Sequence, residues 1–486
     1  MFLEDCQHGI LFGLADIAIK ESKERIRAAI KNTDIKFPSR KIIVNLAPAD
    51  IKKGGTFLDL PIAIGILVAT ENIENNDLES TIFIGELALD GKVHHVNGVL
   101  PMCIEAKKLG IKRIILPREN AKEASIVQGL DIIPVESLKQ TIDFLNNCED
   151  IKPIETTMQD LSQSNNYNLD FSEVKGQENI KRALEVAAAG GHNCLLIGSP
   201  GSGKTMMAKR LPSILPDLSF EEALEITKIH SIAGKIKDKG LITERPFRNP
   251  HHTVSAVSLV GGGSIPKPGE ISLAHCGVLF LDELPEFNKK TLEVLRGPLE
   301  DRKITISRVN ASLTYPCNFM LVASMNPCCC GYYGSLDKEC TCTPNSIKRY
   351  MSRISGPLLD RMDIHIEVSS VKYQKLSSKE KVETSFEIRK RVNKARKIQY
   401  NRYKNYGIYS NAELTPKLIE KYCNLDDRSI KILEDAFKKL GLSARAHSRI
   451  LKVARTIADL EESENIQVSH LVEAIQYRTL DRKFFN

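Results

Sequence analysis

Residues 198–205 read Gly-Ser-Pro-Gly-Ser-Gly-Lys-Thr, and the apolar run Cys194-Leu195-Leu196-Ile197 leads straight into them. A strand that ends in G-x-x-x-x-G-K-[ST] and opens a helix is the phosphate-binding loop of a nucleotide hydrolase. Gly198, Gly201 and Gly203 let backbone N–H groups turn inward around the β-phosphate, with Ser199, Pro200 and Ser202 completing the cofactor-binding loop. Lys204 brings a point charge to the β/γ-phosphates, and the Thr205 hydroxyl can ligate Mg²⁺. The second half of such a site follows at Val278-Leu279-Phe280-Leu281, a buried-strand run ending in two acids. Asp282 would face Mg²⁺, and Glu283 would polarise the attacking water. The bland alternative is a Gly-rich turn with an unrelated acidic strand end. Two complementary halves in this order predict a chain that hydrolyses ATP.

Later segments extend the site. Phe319 to Ser324 and Met325 form another core strand, ending at Asn326, an amide that could orient water near the γ-phosphate. Arg361, in Leu358-Leu359-Asp360-Arg361-Met362-Asp363, can project from one subunit onto the nucleotide of its neighbour. Its plain alternative is a helix-end salt bridge. Ser443 is an N-cap for a helix that starts near Ala444, and Arg445 could reach the same phosphates from that helix.

At 486 residues the chain has room for about three domains at ~150 residues each. No apolar run approaches the ~18 residues of a membrane helix, and no secretory leader is visible, so a cytoplasmic protein is expected. In that compartment the twelve cysteines should be mostly reduced, and a cluster among them points to metal before disulfide. The net charge of +7 is uneven: residues 345–404 carry sixteen Lys/Arg against six Asp/Glu. Such a stripe suits a phosphate backbone, or else it is a solvated helix face beside an acidic partner.

Residues 1–150 alternate strands and helices: a helix over 18–30, strand 41–46, helix 61–69, strand 82–87, helix 100–109 and strand 113–116. A polar linker is expected within 151–170. The nucleotide unit spans 171–370, and 371–486 is helical, with helices over 385–400, 427–440 and 444–462. The predicted class is α/β: a P-loop module with a helical lid, preceded by an α+β domain.

In this setting phosphate loop, acidic strand, Asn326, Arg361 and helical lid resemble an AAA+ ATPase. Residues 245–252, 261–270 and 304–310 resemble its magnesium-chelatase-like branch, and Gly85-Glu86-Leu87, Gly91-Lys92-Val93 and 111–117 resemble the Lon-protease fold. The combination is similar to the ComM/YifB family of bacterial helicase-like ATPases. The resemblance implies a homo-oligomeric ring, a hexamer, with ATP between protomers and DNA, single-stranded or branched, as the partner. It implies branch migration in natural transformation. Arg245, Arg248, Lys267 and Arg308 are then the candidate DNA contacts, reading phosphates and not bases. His251-His252 is expected to position a loop.

Lon-type catalysis needs a serine activated by a lysine. The corresponding segment 54–61 has no serine, Thr56 being the only conceivable substitute, and Leu100 stands where the lysine would lie. The domain is therefore expected to scaffold or to touch DNA. It also starts late, because Met1–Gly13 does not match the strands that usually come first. The competing functions are a non-DNA remodelling ATPase and an ATP-dependent protease.

Finally, Cys328-x-Cys330 and Cys340-x-Cys342 bracket a Gly-Tyr-Tyr-Gly turn that can bring four thiolates together. Tetrahedral sulfur ligation favours a structural Zn²⁺, with an iron–sulfur centre or reduced packing thiols as alternatives. Cys329 is expected to be a bystander.

Overall fold

The computed structural model describes residues 10–12, 17–38, 42–46, 55–74, 77–154, 167–236, 240–263, 266–308, 311–335, 338–370, 382–441, 443–480 and 484. The chain divides into two units. One is Met1–Ser164 with Ala223–Thr243, and the other is Asn165–Glu222 with Glu244–Asn486. Residues 223–243, read from sequence as part of the nucleotide unit, thus pack with the first unit. Most of the expected linker, 155–166, lies outside the described residues, as do 1–9 and 13 of the opening segment.

In the first unit β1 (Ile10–Phe12) pairs in parallel with β2 (Ile42–Val44), with the helix Ile17–Lys31 between them in sequence. The expected strand over 82–87 is two strands, β3 (Thr81–Phe83) and β4 (Glu86–Leu87). The break falls at Gly85, where an added Cβ would lie 2.6 Å from Val93 Cγ1, so the chain bends where only glycine fits. β4 pairs with β5 (Val93–His94), while β6 (Arg113–Pro117) sits between β3 and β7 (Asp131–Val135) in a parallel sheet. Sequence reading missed β7 and the helix Leu138–Leu145 behind it, whose Ser137 cap accepts from Gln140 N at 3.1 Å.

The second unit is built on β8 (Cys194–Gly198), β9 (Phe247–Arg248), the hairpin of β10 (Gly261–Gly262) and β11 (Lys267–Pro268), β12 (Val278–Leu281), the hairpin of β13 (Lys303–Arg308) and β14 (Ala311–Pro316), β15 (Met320–Met325) and β16 (Ile364–Val368). Five of these form one all-parallel sheet in the order β16-β8-β15-β12-β9. β8, β12 and β15 are buried along their whole length, as parallel strands covered on both faces must be, which is why they read as unbroken apolar runs. In an open sheet of this kind ligands bind beyond the carboxyl ends of the strands, where the order reverses beside the first strand.

The helices Ser385–Tyr403, Asp427–Leu440, Ala444–Leu460 and Val468–Gln476 follow the predicted positions closely, apart from the last, which sequence reading did not place. Thr384 and Glu387 form a capping box at the first. Ile388, Val392, Leu451 and Ile457 share one hydrophobic core with Leu184, Leu196 and Met207 of the sheet layer. Polar groups fix the register of that packing. Asp459, fully buried, accepts from Arg402 Nη2 at 2.6 Å and Nη1 at 3.0 Å, from Arg455 Nε at 3.2 Å and from Asn411 Nδ2 at 2.8 Å.

Replacing Asp459 by Ala strands two guanidinium groups at a buried position. The expected loss is about 3–5 kcal/mol of unfolding free energy, read by denaturant titration. A loss below ~1 kcal/mol would mean that the carboxylate does not hold the helices in place.

Candidate functional site

The phosphate loop leaves the carboxyl end of β8 at Gly198. A Cβ there would lie 2.2 Å from Val368 O, so β16 leaves room only for glycine. Gly201 and Gly203 hold φ of 75° and 92°, the left-handed backbone that turns successive N–H groups to one side. Lys204 Nζ donates to Gly198 O at 2.7 Å, to Ser199 O at 2.9 Å and to Asn326 Oδ1 at 3.1 Å. Burial pushes its pKa down, with Asp282 and Glu283 pulling the other way. The Ser202 hydroxyl is buried without a partner, a free polar group inside the loop.

The acidic strand meets the loop as the sequence predicts. The Thr205 hydroxyl donates to Asp282 Oδ2 at 2.7 Å, so the two groups expected to share Mg²⁺ are already in contact. Asp282 Oδ1 accepts from the Ser324 hydroxyl and, at 3.1 Å, from Glu283 N. Glu283 adopts φ of 55°, uncommon for a residue with a side chain, and its carboxylate is 59% exposed. These residues suit Mg-ATP: glycines that admit a phosphate, an ammonium and an unpartnered hydroxyl beside it, and a hydroxyl–carboxylate pair for the cation. When bound, Mg²⁺ would neutralise charge on the β/γ-phosphates. Glu283 would then take a proton from water, Lys204 would follow the phosphates, and Asn326, freed of Lys204, would orient that water.

Three residues of the site escaped the sequence reading. Ser324 orients Asp282. Gln177 Nε2 donates to Ser202 O at 3.1 Å and to Ser369 O at 2.9 Å, tying the loop to the end of β16. His252 Nδ1 stands 3.8 Å from Glu283 Oε2, with the His251 ring 4.0 Å from its own. The histidine pair was legible as a feature, but its place beside Glu283 was not.

Arg361 and Arg445 lie at the other edge of the sheet. Asn193, at the amino end of β8, donates its side-chain amide to Arg361 O at 2.9 Å and its backbone N–H to Asp363 Oδ2 at 3.1 Å. The Arg361 guanidinium is buried against Pro357 O and Glu300, and Arg445 Nη1 reaches Asp360 Oδ2 at 3.1 Å. Arg449 and His192 hold the Asp363 carboxyl far below its ordinary pKa despite burial that opposes them. β8 has five residues, so this edge is about 16 Å from the chain's own phosphate loop at ~3.3 Å per residue.

The DNA-contact expectations need correction. Arg245 is not in an exposed loop: it is largely buried, and it pairs with Glu222 and with the carbonyls of Pro216, Asp217 and Cys276. Arg248 makes two bonds to Glu270 at 2.6 and 2.8 Å, which cancels its charge. Lys267 is exposed on β11, and Arg308 ends the β13 ladder opposite Ala311, with its side chain outside the described residues. Part of the described basic stripe is also internally paired: Arg353 with Glu286, Arg391 with Glu185 and Glu383, Lys394 with Glu462 and Arg402 with Asp459.

Comparison with known proteins agrees with this geometry. Residues 170–376 match the family described as magnesium chelatase, subunit ChlI, residues 4–120 match subunit ChlI of Mg-chelatase, and residues 382–478 match the ChlI C-terminal family. Competence protein ComM of Haemophilus influenzae is 44% identical over 476 residues, covering 97% of this chain and 92% of that protein. The chain belongs to the ComM/YifB family of magnesium-chelatase-like AAA+ proteins. Uncharacterized protein YifB of Salmonella typhimurium is 45% identical over 473 residues, with the same coverage of both chains. Lon protease 2 of Bacillus subtilis is 29% identical over 145 residues, 28% of this chain and 26% of that protein. The fold is thus an AAA+ module with a helical C-terminal region and a Lon-like part. Membership of this ComM/YifB family carries ATPase activity, and AAA+ subunits work as oligomers.

Lys204→Ala should abolish nucleotide binding, whereas Glu283→Gln should bind ATP normally and turn over about 10²–10⁴-fold more slowly. Fluorescent-nucleotide titration and phosphate release separate the two. Undiminished turnover in Glu283→Gln would remove it as the base.

Proposed function

We propose that this chain is an ATP-driven motor that assembles as a hexameric ring and moves DNA, with helicase or branch-migration activity of the kind used in DNA uptake and recombination. The observation that carries the reading is a pair of stacked hairpins in the second unit. A Cβ on Gly261 would lie 2.7 Å from Ile306 Cδ1, and the Tyr315 hydroxyl donates to Pro266 O at 3.0 Å, so β10–β11 and β13–β14 pack on each other. Ile304 and Ile306 face inward, while Thr305 with Thr314 and Ser307 with Ser312 line the outer face with hydroxyls. Outer-face hydroxyls, with an exposed Lys267 on the neighbouring hairpin and Arg308 at the ladder end, would suit phosphate oxygens and carry no base code.

Kinship with a competence protein supports the same reading, since competence is the uptake of DNA. The protease alternative finds no support in the Lon-like part. Leu100 is fully buried in that domain's core, and the Thr56 hydroxyl is engaged by Glu86.

Affinity for single-stranded DNA should fall by an order of magnitude or more between ~50 and ~200 mM salt and vary little with sequence. Lys267→Ala with Arg308→Ala should weaken binding uniformly and flatten the salt dependence, at an unchanged Tm. A salt slope identical to that of the unaltered protein would overturn the hairpins as the DNA contact.

A further inference from the structure

The four cysteines that the sequence singles out converge. Cys328 Sγ lies 3.3 Å from Cys330 Sγ and 3.7 Å from Cys340 Sγ, and Cys330 Sγ is 3.6 Å from Cys340 Sγ. With Cys342, all four sulfurs fall within 4.8 Å of one another. A tetrahedron with metal–sulfur bonds of about 2.3 Å has sulfur–sulfur edges of about 3.8 Å, close to this spacing and matched to a single ion. Only Cys328 is fully buried, so the thiols are not apolar filling. Backbone N–H groups support the sulfurs: Tyr333 N donates to Cys328 Sγ at 3.3 Å and Cys330 N to Cys342 Sγ at 3.4 Å. Cys329 is exposed and turns instead toward Ser346 O at 3.9 Å.

The cluster also touches the nucleotide site from two directions. Cys328 follows Asn326, the partner of Lys204, by two residues. Gly331, buried at φ of +87°, meets the phosphate loop directly: an added Cβ would lie 2.5 Å from Pro200 Cδ and 2.7 Å from Pro200 Cγ. Sequence alone places the cluster just after the strand ending at Asn326. It could not show that the same turn is seated on the phosphate loop.

We propose that Cys328, Cys330, Cys340 and Cys342 hold one structural Zn²⁺, and that the metal fixes the Gly331 turn against Pro200, so that nucleotide affinity depends on it. Four protein ligands leave no open coordination position, so the metal positions groups and takes no part in hydrolysis. Thiolate ligation releases protons as the ion binds, and loss of the ion frees four sulfurs that have no other reason to meet. The inference rests on residues 198–205 as the nucleotide loop and is independent of any action on DNA.

The test uses the full chain, purified without chelator, with elemental analysis and titration of a non-hydrolysable ATP analogue. About one zinc per chain is expected, lost in the Cys330→Ser, Cys340→Ser double variant. Release of zinc from the unaltered protein by a mercurial reagent should weaken analogue binding by about tenfold or more, because shifts of ~1 Å in positioned groups are costly. Gly331→Ala should keep its zinc, which verifies its fold, and show the same weakened binding. Substoichiometric metal, or iron with visible absorption, would overturn the zinc site. Zinc present, with analogue affinity unchanged both on release and in Gly331→Ala, would overturn the coupling. Zinc in place with no analogue bound by the unaltered chain would strike the nucleotide assignment and leave the metal site standing.

Discussion

A buried ammonium group ties the nucleotide site together. Lys204 Nζ bonds two carbonyls of its own loop and the amide of Asn326, joining the ends of β8 and β15 through one charge. Thr205 makes the second tie, to Asp282 at the end of β12. Three strands far apart in sequence thereby present their carboxyl ends as one surface. The hydrogen bonds of this cation are all to neutral oxygens, with Asp282 and Glu283 acting on it from a distance, and an incoming phosphate offers it full negative charge in surroundings of low dielectric. The loop is preorganised for that exchange: its glycines are fixed by close approach and left-handed backbone, and Gln177 holds Ser202 while Gly331 abuts Pro200 from outside it.

The sheet separates the phosphate loop from the two arginines proposed to complete it in a neighbour. Binding and water activation stand at the carboxyl edge, while Arg361 and Arg445 stand at the amino edge, each held by an acid, Glu300 or Asp360. Asp363 and Arg449 stitch that edge to the helix Ala444–Leu460, and Asp459 in the same helix is locked to Arg402. Arg361 is buried and Arg445 exposed, and both stand at the edge away from their own chain's phosphate loop. In a ring, one protomer's amino edge can face the next protomer's phosphate loop. That arrangement, which we propose, would make hydrolysis a property of the interface.

What could be read from the sequence follows from how local each signal is. The phosphate loop, the acidic strand and the cysteine pairs are short, and their chemistry demands particular residues at fixed spacing. The helices at 385–403, 427–440 and 444–460 announced themselves by period and caps. Charge was the least local signal. A window over 345–404 counts only the acids within it, whereas Glu185, Glu286, Asp459 and Glu462 arrive from other segments and neutralise Arg391, Arg353, Arg402 and Lys394. Arg245 shows the same thing, since Glu222 and three carbonyls from other segments enclose it. Ser324, Gln177 and the Gly331–Pro200 contact depend on tertiary neighbours and carry no local mark.

The division of the site between protomers is tested most directly by mixing two inactive proteins. Lys204→Ala lacks its own phosphate site and retains Arg361, while Arg361→Ala binds ATP and lacks the arginine. If Arg361 serves a neighbour, mixed rings contain interfaces with both parts, and ATP turnover should reappear on mixing. Turnover that stays absent while the two proteins demonstrably co-assemble would contradict a shared site and return Arg361 to a structural role at the sheet edge.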